Sequence, residues 1–417
     1  MFLYNISIRI YYFLVFVFSF FNKKAKLFYN GRKNWQQIYP SKLNHLKNPV
    51  WVHCSSLGEF EQGRPLIEWI KNTYPHKKIV VTFFSPSGFE IQKQYKSADA
   101  VLYLPLDTPK NAIDFIHVLQ PSVAIFVKYE FWLNYLFQLQ IQHIPTVIIS
   151  AKFRANQIFF KWYGNHFKKA LRCFTTLFVQ DEYSKSMLQS IGINQVEVAN
   201  DTRFDRVHQN SLQIKLPDCI HQFCETKKII VLGSVWQPDE EIFINWFKNN
   251  LPKDWKIIWV PHEIETSKIN QLKSKIAAPT LLFSEINNQS FDATQHQHLI
   301  INTIGMLSKL YSVASIAYIG GGFGTSIHNI LEPAVFGMPI IFGPKYHKFN
   351  EAFDLINEGS AFAIQNEQQL TVILNKLIKN DSELTRLSSI SNKYVVKNLG
   401  GTKTIADYLV AKKILVG

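Results

Sequence analysis

The glycine-rich stretch from Ala317 to Pro344 constrains the fold of this chain more than any other segment. It reads AYIGGGFGTSIHNILEPAVFGMPIIFGP: an apolar strand, a glycine cluster, a helical segment and a second apolar strand. The pattern predicts a helix that has Ser326 as its N-cap and continues to Phe336. A glycine turn leading into a helix N-terminus presents backbone N–H groups to an anion, and phosphate is the usual occupant.

Two readings of this turn remain open. The glycines could serve only the close packing of strand on helix. Glu332 favours a nucleotide or nucleotide-sugar site, because a carboxylate beside a phosphate-type turn can accept hydrogen bonds from ribose hydroxyls. His328 and Asn329 add polar groups within reach of such a ligand. The stretch is not a P-loop, because no Gly-Lys-Ser/Thr follows the glycines.

Length and charge set the broader limits. A chain of 417 residues predicts two domains. The formal net charge of +14 indicates phosphate-rich partners. The cations are scattered and no nucleic-acid-binding motif accompanies them, so we expect an anionic lipid surface and no nucleic acid. The four cysteines lack metal-ligand spacing and no Asp-x-Asp motif is present, so we expect no metal and no cofactor.

The first 22 residues predict a membrane anchor. Residues 2–21 are dominated by apolar side chains and are about long enough to span a bilayer core. A cleaved signal peptide is less favoured, since no small-residue cleavage site follows. Lys23, Lys24 and Lys26 come next and favour a cytoplasmic location for that end. Whether the segment spans the membrane or lies in its interface stays open.

Short apolar strands alternate with helices along the rest of the chain, the pattern of a doubly wound α/β fold. Periodicity is lost around residues 206–227 and Pro217 lies there, which predicts a linker. We therefore expect two Rossmann-like domains, at 23–210 and 226–417. Residues 287–298 are polar and predict a loop within the second domain.

Polar clusters follow the predicted strands, where open α/β sheets bind their ligands. Glu59, Glu130 and Arg203 follow strands of the first domain. The turn alone does not decide between two interpretations of Glu59. It could be a carboxylate of the site, or an acidic residue that stabilises a helix N-terminus. The corresponding clusters of the second domain contain Ser234, His262, Gly305 and Gly322. Two domains facing a cleft would bring all of these clusters together.

A second stretch also suggests a membrane surface. Residues 153–174 interleave aromatic side chains with Arg154, Lys161, Lys168, Lys169 and Arg172. Rings at head-group depth and cations on lipid phosphates would suit an interface. The alternative is an ordinary pair of helices with a basic solvent face.

The chain resembles the 3-deoxy-D-manno-octulosonic acid (Kdo) transferases of lipopolysaccharide synthesis. The resemblance covers nearly the whole chain, in order. It rests on the N-terminal apolar segment and on the following motifs: WVHCSSLGEFEQGRPL (51–66), KYEFWLN (128–134), NDTRFDRV (200–207), GSVWQPDEE (233–241), VPHE (260–263), NTIGMLSKLY (302–311) and the run GGGFG…HNILEPA. It implies the GT-B glycosyltransferase fold, with an N-terminal membrane-anchor helix.

The resemblance also implies a donor, an acceptor and a location. The donor would be CMP-Kdo and the acceptor a lipid A precursor, at the cytoplasmic face of the bacterial inner membrane. Glu59 would be the general base, and Glu130 and Arg203 would stabilise the transition state. The CMP-sugar would be held by the following residues: Ser234, Pro261, His262, Ile304, Gly305, Met306, Gly322, Asn329, Ile330, Leu331 and Glu332.

Some positions depart from the family pattern. The family often has Arg where this chain has His262, and Glu where it has Met306. It commonly has Lys at Arg203, which keeps the charge but changes its geometry. Two other functions remain as alternatives. One is a GT-B glycosyltransferase or epimerase that uses a UDP-sugar, and the other is a catalytically inactive lipid-binding scaffold. The presence of Glu59, Glu130 and Arg203 together argues against the scaffold.

Overall fold

The structure is a computed structural model that describes residues 1–286 and 291–415, apart from the side chain of Asn249. Residues 287–290, which belong to the predicted polar loop, lie outside the described part. The chain forms two compact α/β units. The first comprises Met1–Arg206 and Asn398–Gly417, and the second Val207–Lys397.

The first unit contains a seven-stranded sheet in which every pairing is parallel. Its strands are β1 (Val50–Cys54), β2 (Ile79–Phe83), β3 (Ala100–Tyr103), β4 (Val123–Val127), β5 (Thr146–Ala151), β6 (Thr176–Val179) and β7 (Val196–Val198). Their order is β3-β2-β1-β4-β5-β6-β7. The order reverses between β1 and β4, which is the topological switch point where open sheets of this kind bind ligands.

Helices cover this sheet. They are α1 (Phe2–Phe18), α2 (Lys23–Asn30), α3 (Trp35–Leu43), α4 (Leu57–Thr73), α5 (Pro86–Gln92), α6 (Pro109–Leu119), α7 (Leu133–Ile141), α8 (Asn165–Leu171), α9 (Glu182–Gln189) and α10 (Thr202–Ser211), which continues into the second unit. Two apolar clusters pack against the sheet, one of them centred on Trp51 and Phe126. All five residues of β1 and of β4 are buried, as expected for strands covered on both faces.

The second unit repeats this architecture. Its parallel strands are β8 (Lys228–Val235), β9 (Trp255–Pro261), β10 (Thr280–Leu282), β11 (His298–Ile300), β12 (Ile316–Ile319), β13 (Ile340–Phe342) and β14 (Ala361–Ala363). Its helices are α11 (Asp218–Cys224), α12 (Gln237–Asn250), α13 (Thr266–Ile276), α14 (Phe283–Ile286), α15 (Leu307–Leu310), α16 (Leu331–Ala334), α17 (Asn350–Glu358), α18 (Glu367–Ile378) and α19 (Asp381–Lys397). The strand order β10-β11-β9-β8-β12-β13-β14 places the switch point between β8 and β12.

The helix predicted from Ser326 to Phe336 is wrong. Residues 320–330 form an irregular loop, and α16 is a single turn. The loop is shaped by close backbone packing: a Cβ at Gly322 would lie 2.6 Å from the backbone of Gly343. The glycine turn therefore follows β12 as predicted, but no long helix dipole supports an anion there.

The C-terminal segment differs from the predicted domain division, which placed every residue after 226 in the second domain. A last helix, α20 (Gly401–Ala411), packs in the first unit. Ile405 and Leu409 join the apolar cluster that contains Ile67 of α4. Asp205 accepts hydrogen bonds from the backbone N–H groups of Gly400 (2.7 Å) and Thr402 (2.6 Å). Contacts this distant in sequence leave no periodic signal.

The N-terminal segment forms α1, which is attached to the first unit by polar contacts. The Tyr4 hydroxyl donates to Asp107 Oδ2 (2.5 Å), and Asn134 Nδ2 donates to Asn5 Oδ1 (2.9 Å). Within residues 1–286 and 291–415, none of the helices combines the length and the apolar character needed to cross a bilayer. The predicted membrane anchor stays a prediction.

The aromatic stretch 153–174 contributes most of its phenylalanines to the protein core. Phe153, Phe159 and Phe174 are buried in the cluster around Trp51. Trp162 and Tyr163 are exposed. The core packing of these rings favours the ordinary-helix reading, and only the exposed pair is available to a membrane surface.

Candidate active site

Two carboxylates lie at the switch point of the first sheet. Glu59 is in the first turn of α4, directly after β1, and Glu130 lies three residues after β4. Strands β1 and β4 are neighbours. The negative charge of Glu130 raises the pKa of Glu59, so the two carboxylates are close enough to interact. The sequence prediction that strand ends would bring these residues together is met for this pair.

Glu59 is held by the backbone at the start of α4. Its Oε2 accepts hydrogen bonds from the N–H groups of Ser55 (2.6 Å) and Ser56 (3.1 Å). Glu59 therefore caps its own helix: it pairs the N–H of the N-cap residue Ser56 and that of Ser55 just before it. Burial, and then the charge of Glu130, raise its pKa to about 7, against the opposing effects of these two N–H groups and of Lys128. A carboxylate with a pKa near the working pH suits general-base catalysis.

Glu130 is almost fully buried, with 7% of its surface exposed. Its Oε2 accepts from Trp132 Nε1 (2.6 Å) and lies 3.2 Å from His53 Nε2. On the other side of the His53 ring, Nδ1 lies 2.9 Å from Thr82 Oγ1. Trp51 Nε1 donates to the same hydroxyl (2.8 Å). Glu130 is thus the end of a buried polar network that extends across β1 and β2.

Arg203 is placed by a second buried network. Its Nε (2.9 Å) and an Nη (2.8 Å) both donate to Asp201 Oδ2, and the charge of Arg203 helps to keep the pKa of Asp201 low although Asp201 is buried. Gln62 and Gln180 also donate to Asp201. Gln62 lies one turn after Glu59 on α4, so this network connects the start of α10 to the helix that carries Glu59. Part of the Arg203 charge is offset by Asp201.

A cavity of about 480 Å³ opens beside Glu130. Apart from Ser55, Tyr129 and Glu130, its walls are mainly apolar and aromatic. The other lining residues are Tyr4, Ile8, Phe84, Phe131, Trp132, Ile158, Phe159 and Phe167. The first unit therefore combines a low-polarity pocket with a carboxylate in its wall.

The second unit presents its own switch point between β8 and β12. Ser234 lies in a β-bulge at the end of β8 with φ of 52°, and a Cβ at Gly320 would lie 2.3 Å from its carbonyl oxygen. Asp239, near the start of α12, fixes the glycine turn. Its Oδ2 accepts from the Gly321 N–H (3.0 Å), and its Oδ1 accepts from the Tyr318 hydroxyl (2.6 Å).

Three rings stack beside this turn. The His262 ring lies 4.2 Å from Trp236 and 4.8 Å from His328, measured between centroids, and both pairs are nearly parallel. His262 is exposed and follows Pro261, the buried last residue of β9. Burial and the neighbouring His262 lower the pKa of His328. Among the described residues, His328 Nε2 and the buried Ser326 hydroxyl have no hydrogen-bond partner. These atoms could serve a ligand at the glycine turn.

The other predicted donor-site residues differ in accessibility. Ile304 is 87% exposed, and Gly305 follows it with φ of 86°, just before Met306 at the start of α15. Asn329 is exposed, and its Nδ2 donates to Glu332 Oε1 (3.0 Å). Ile330 and Leu331 are instead fully buried in the second unit. Their side chains belong to the core, which leaves only their backbone groups for ligand contacts.

Sequence reasoning missed the residues that support the site. His53, Thr82, Asp201 and Gln62 are buried polar side chains that position Glu130 and Arg203. A signal was available for His53, which interrupts the apolar strand VWVHC. A buried histidine within such a strand needs hydrogen-bond partners. Nothing in the sequence indicated which partners those would be.

Comparisons with solved structures define the class. The structure resembles the UDP-GlcNAc 2-epimerase of Neisseria meningitidis bound to UDP-GlcNAc, with a TM-score of 0.61 and 16% identity over 87% of this chain and 100% of that one. It also resembles MurG of Acinetobacter baumannii, with a TM-score of 0.54 and 11% identity over 87% of this chain and 99% of that one. The two parallel-sheet α/β units are those of the GT-B class.

Sequence comparisons show which family within that class the chain is similar to. A family model for the 3-deoxy-D-manno-octulosonic-acid transferase (kdotransferase) matches residues 30–206. The chain is 27% identical over 357 residues to the 3-deoxy-D-manno-octulosonic acid transferase of Aquifex aeolicus, covering 84% of this chain and 92% of the relative. Residues 30–206 match the Kdo transferase model, and the similarity to Kdo transferases extends over most of the chain. The protein is a glycosyltransferase.

Proposed function

We propose that the protein transfers Kdo from CMP-Kdo to a lipid A precursor in lipopolysaccharide biosynthesis. The main observation that supports this proposal is the raised pKa of one carboxylate. Glu59, in the domain that the family model matches, has a pKa raised to about 7 at the switch point of the first sheet. That is the property a general base for a sugar hydroxyl requires at neutral pH.

The proposed reaction is a direct displacement. Glu59 removes the proton of the acceptor hydroxyl, whose oxygen forms a bond to the anomeric carbon of Kdo. The bond from that carbon to the phosphate oxygen breaks, and CMP leaves with the electron pair. Attack on the face opposite the leaving group gives inversion. Burial supports the role of Glu59, because a desolvated carboxylate is a stronger base than one in water.

Glu130 and Arg203 stabilise the charges that develop in the transition state. A fixed carboxylate favours an oxocarbenium-like sugar, and the buried position of Glu130 strengthens that interaction. A guanidinium favours the departing phosphate. Asp201 restricts Arg203 to one orientation through two hydrogen bonds, so little ordering is needed during the reaction.

Donor binding is assigned to the second unit. The glycine turn is fixed by Asp239, and the unpaired Ser326 hydroxyl and His328 Nε2 beside it are the groups we assign to a phosphate. The stacked rings of Trp236, His262 and His328 offer a flat surface for a base and ring N–H groups for an anion. Met306 and the Asn329–Glu332 pair complete the proposed CMP site.

A location at the cytoplasmic face of the inner membrane is part of the proposal. Phe2, Phe13, Phe20 and Phe21 are all exposed large apolar side chains in or just after α1. Lysines 23, 24 and 26 follow, and suit anionic head groups. Flotation with vesicles tests this: we expect binding to vesicles with anionic lipid, and weaker binding after Phe13→Ser and Phe18→Ser together. Equal recovery of both proteins with the vesicles would remove this surface from the proposal.

The central experiment is transfer of labelled Kdo from CMP-Kdo to a tetraacylated lipid A precursor in detergent. Glu59→Gln should abolish transfer and leave CMP binding intact. The matched control is Glu61→Gln, on the same helix, where the carboxylate makes only partly exposed ion pairs with Arg64 and Arg206. Retained turnover in Glu59→Gln would remove Glu59 from the base role. A wild-type protein that binds a UDP-sugar and not CMP would favour the epimerase-like alternative.

A further inference from the structure

A continuous chain of buried hydrogen bonds ends on Glu130. It begins at Trp51 Nε1, which donates to Thr82 Oγ1 (2.8 Å), and continues from Thr82 Oγ1 to His53 Nδ1 (2.9 Å). His53 Nε2 lies 3.2 Å from Glu130 Oε2. His53, Thr82 and Trp51 are each completely buried. A buried strand can pack without such a chain of polar groups. The presence of this hydrogen-bond chain therefore needs an explanation.

The partners determine which nitrogen of His53 carries the proton. Thr82 Oγ1 already accepts from Trp51, so its own hydroxyl proton can be donated to His53 Nδ1. The ring proton then lies on Nε2 and is donated to Glu130 Oε2. The opposite tautomer would place the Nε2 lone pair against a carboxylate oxygen, which is repulsive.

Trp132 completes the arrangement. Its Nε1 lies 2.6 Å from Glu130 Oε2 and 3.0 Å from His53 Nε2. A ring nitrogen that carries a proton cannot accept, so the indole N–H goes to the carboxylate. Both donors therefore act on Oε2. No described hydrogen bond reaches the other carboxylate oxygen, Oε1. Glu130 is one of the residues that line the 480 Å³ cavity.

We propose that His53 is a positioning residue for the transfer reaction: it donates from Nε2 to Glu130, holds that carboxylate in place, and turns its second oxygen toward the cavity. The inference rests on the proposed function for its kinetic test. It assigns no chemical step to His53, which is fully buried and has no access to a substrate. Trp132 acts with it as the second donor.

The charge held on Glu130 has a consequence for Glu59. Burial is the main cause of the raised pKa of Glu59, of the Cys54 thiol and of the Tyr4 phenol, and the charge of Glu130 adds to each. Lys128 acts in the opposite direction on Glu59, and Glu61 adds to the effect on Cys54. By positioning Glu130, His53 thus contributes indirectly to the raised pKa of Glu59.

The kinetic test compares pH–rate profiles of kcat/KM for Kdo transfer in the wild type and in His53→Phe. Without the Nε2 donor, the Glu130 carboxylate is no longer held beside Glu59, and its negative charge acts less strongly on Glu59. We expect the acidic limb assigned to Glu59 to move to lower pH by about one pH unit. Trp132→Phe removes the other donor and should move it in the same direction.

His53→Gln is the conservative rescue, because its side-chain amide can donate from nearly the same place as Nε2. We expect it to keep the wild-type limb. An unchanged limb in both His53→Phe and Trp132→Phe, whatever their rates, would overturn the proposal and leave His53 a structural residue. A limb that moves equally in His53→Phe and His53→Gln would also overturn it, since donation would not be the cause.

A second measurement separates this proposal from the proposed function. Nitrogen NMR of the full-length protein with labelled histidine reports which ring nitrogen carries the proton, without substrate, and His53→Gln identifies the signal. We expect Nε2 to carry the ring proton. A ring protonated only at Nδ1 would overturn the inference even if Kdo transfer is observed. The expected signal in a protein that transfers no Kdo would support the geometry while the proposed function fails.

Discussion

Glu59→Gln should make the protein more stable as it makes it inactive. The raised pKa of Glu59 means that ionising this side chain costs free energy in the folded protein. The difference between about 7 and the ordinary value of 4.5 corresponds to about 3 kcal/mol when the pH lies well above both. A glutamine still accepts from Ser55 and Ser56, but it gives up roughly 1 kcal/mol of charge-assisted bonding. The net gain in stability is about 1–3 kcal/mol at pH 8.5.

The sign follows from the direction of the pKa change. Because the pKa is raised in the folded state, the contribution of Glu59 to stability is complete below its unfolded pKa and is lost as the pH rises through about 7. The advantage of the glutamine variant should therefore grow by about 2 kcal/mol between roughly pH 5 and pH 8.5. Urea unfolding at both pH values, followed by circular dichroism, measures this growth.

The control is again Glu61→Gln. Glu61 is a partly exposed residue on the same helix, so its substitution should show no comparable growth between the two pH values. If Glu59→Gln is equally stable at both pH values relative to wild type, or less stable at the higher one, Glu59 ionises without cost. The electrostatic reason for choosing it as the base would then be refuted.

Other substitutions test the remaining supports of the site. Arg203→Ala should slow Kdo transfer by about 10²–10³-fold and cost about 3 kcal/mol of stability, because Asp201 stays buried without its cation. Arg203→Lys should recover most of the stability. A near-normal rate in the alanine variant would assign Arg203 a structural role only. Asp239→Asn should cost about 1–2 kcal/mol and weaken CMP binding measured by calorimetry, because the Gly321 N–H loses a charged acceptor; unchanged affinity would separate the turn from the donor site. Asp205→Ala should speed proteolysis near Gly400, since two backbone N–H groups lose their acceptor, and an unchanged cleavage rate would contradict that role.

The strands and their order of appearance were predictable because a buried parallel strand leaves a compact apolar run in the sequence. β1, β4 and β9 fall where such runs lie. Glu59 and Glu130 could be placed at one sheet edge for the same reason. The short strands β10 and β14 were missed, since both are only partly buried and neither forms a compact, fully apolar run like the equally short β13.

The rest depended on contacts between distant residues. The glycine turn looked like the start of a long helix because residues 326–336 have helical composition, but packing of Gly322 on Gly343 keeps most of the segment irregular. The bonds from Thr82 to His53 and from Gln62 to Asp201 join residues 29 and 139 positions apart. No local pattern encodes such pairs, so the supports of Glu130 and Arg203 appear only in the structure.

The first unit is assembled from two pieces of chain separated by the whole of the second. During synthesis the ribosome must translate residues 207–397 before α20 becomes available, which takes roughly 10–40 s at ordinary elongation rates. Through that interval the face of the apolar cluster that Ile405 and Leu409 will cover stays open. The nascent chain therefore carries an uncovered apolar surface while the second unit is being translated. A chaperone that protects this surface would raise the yield of the protein without any effect on its finished stability.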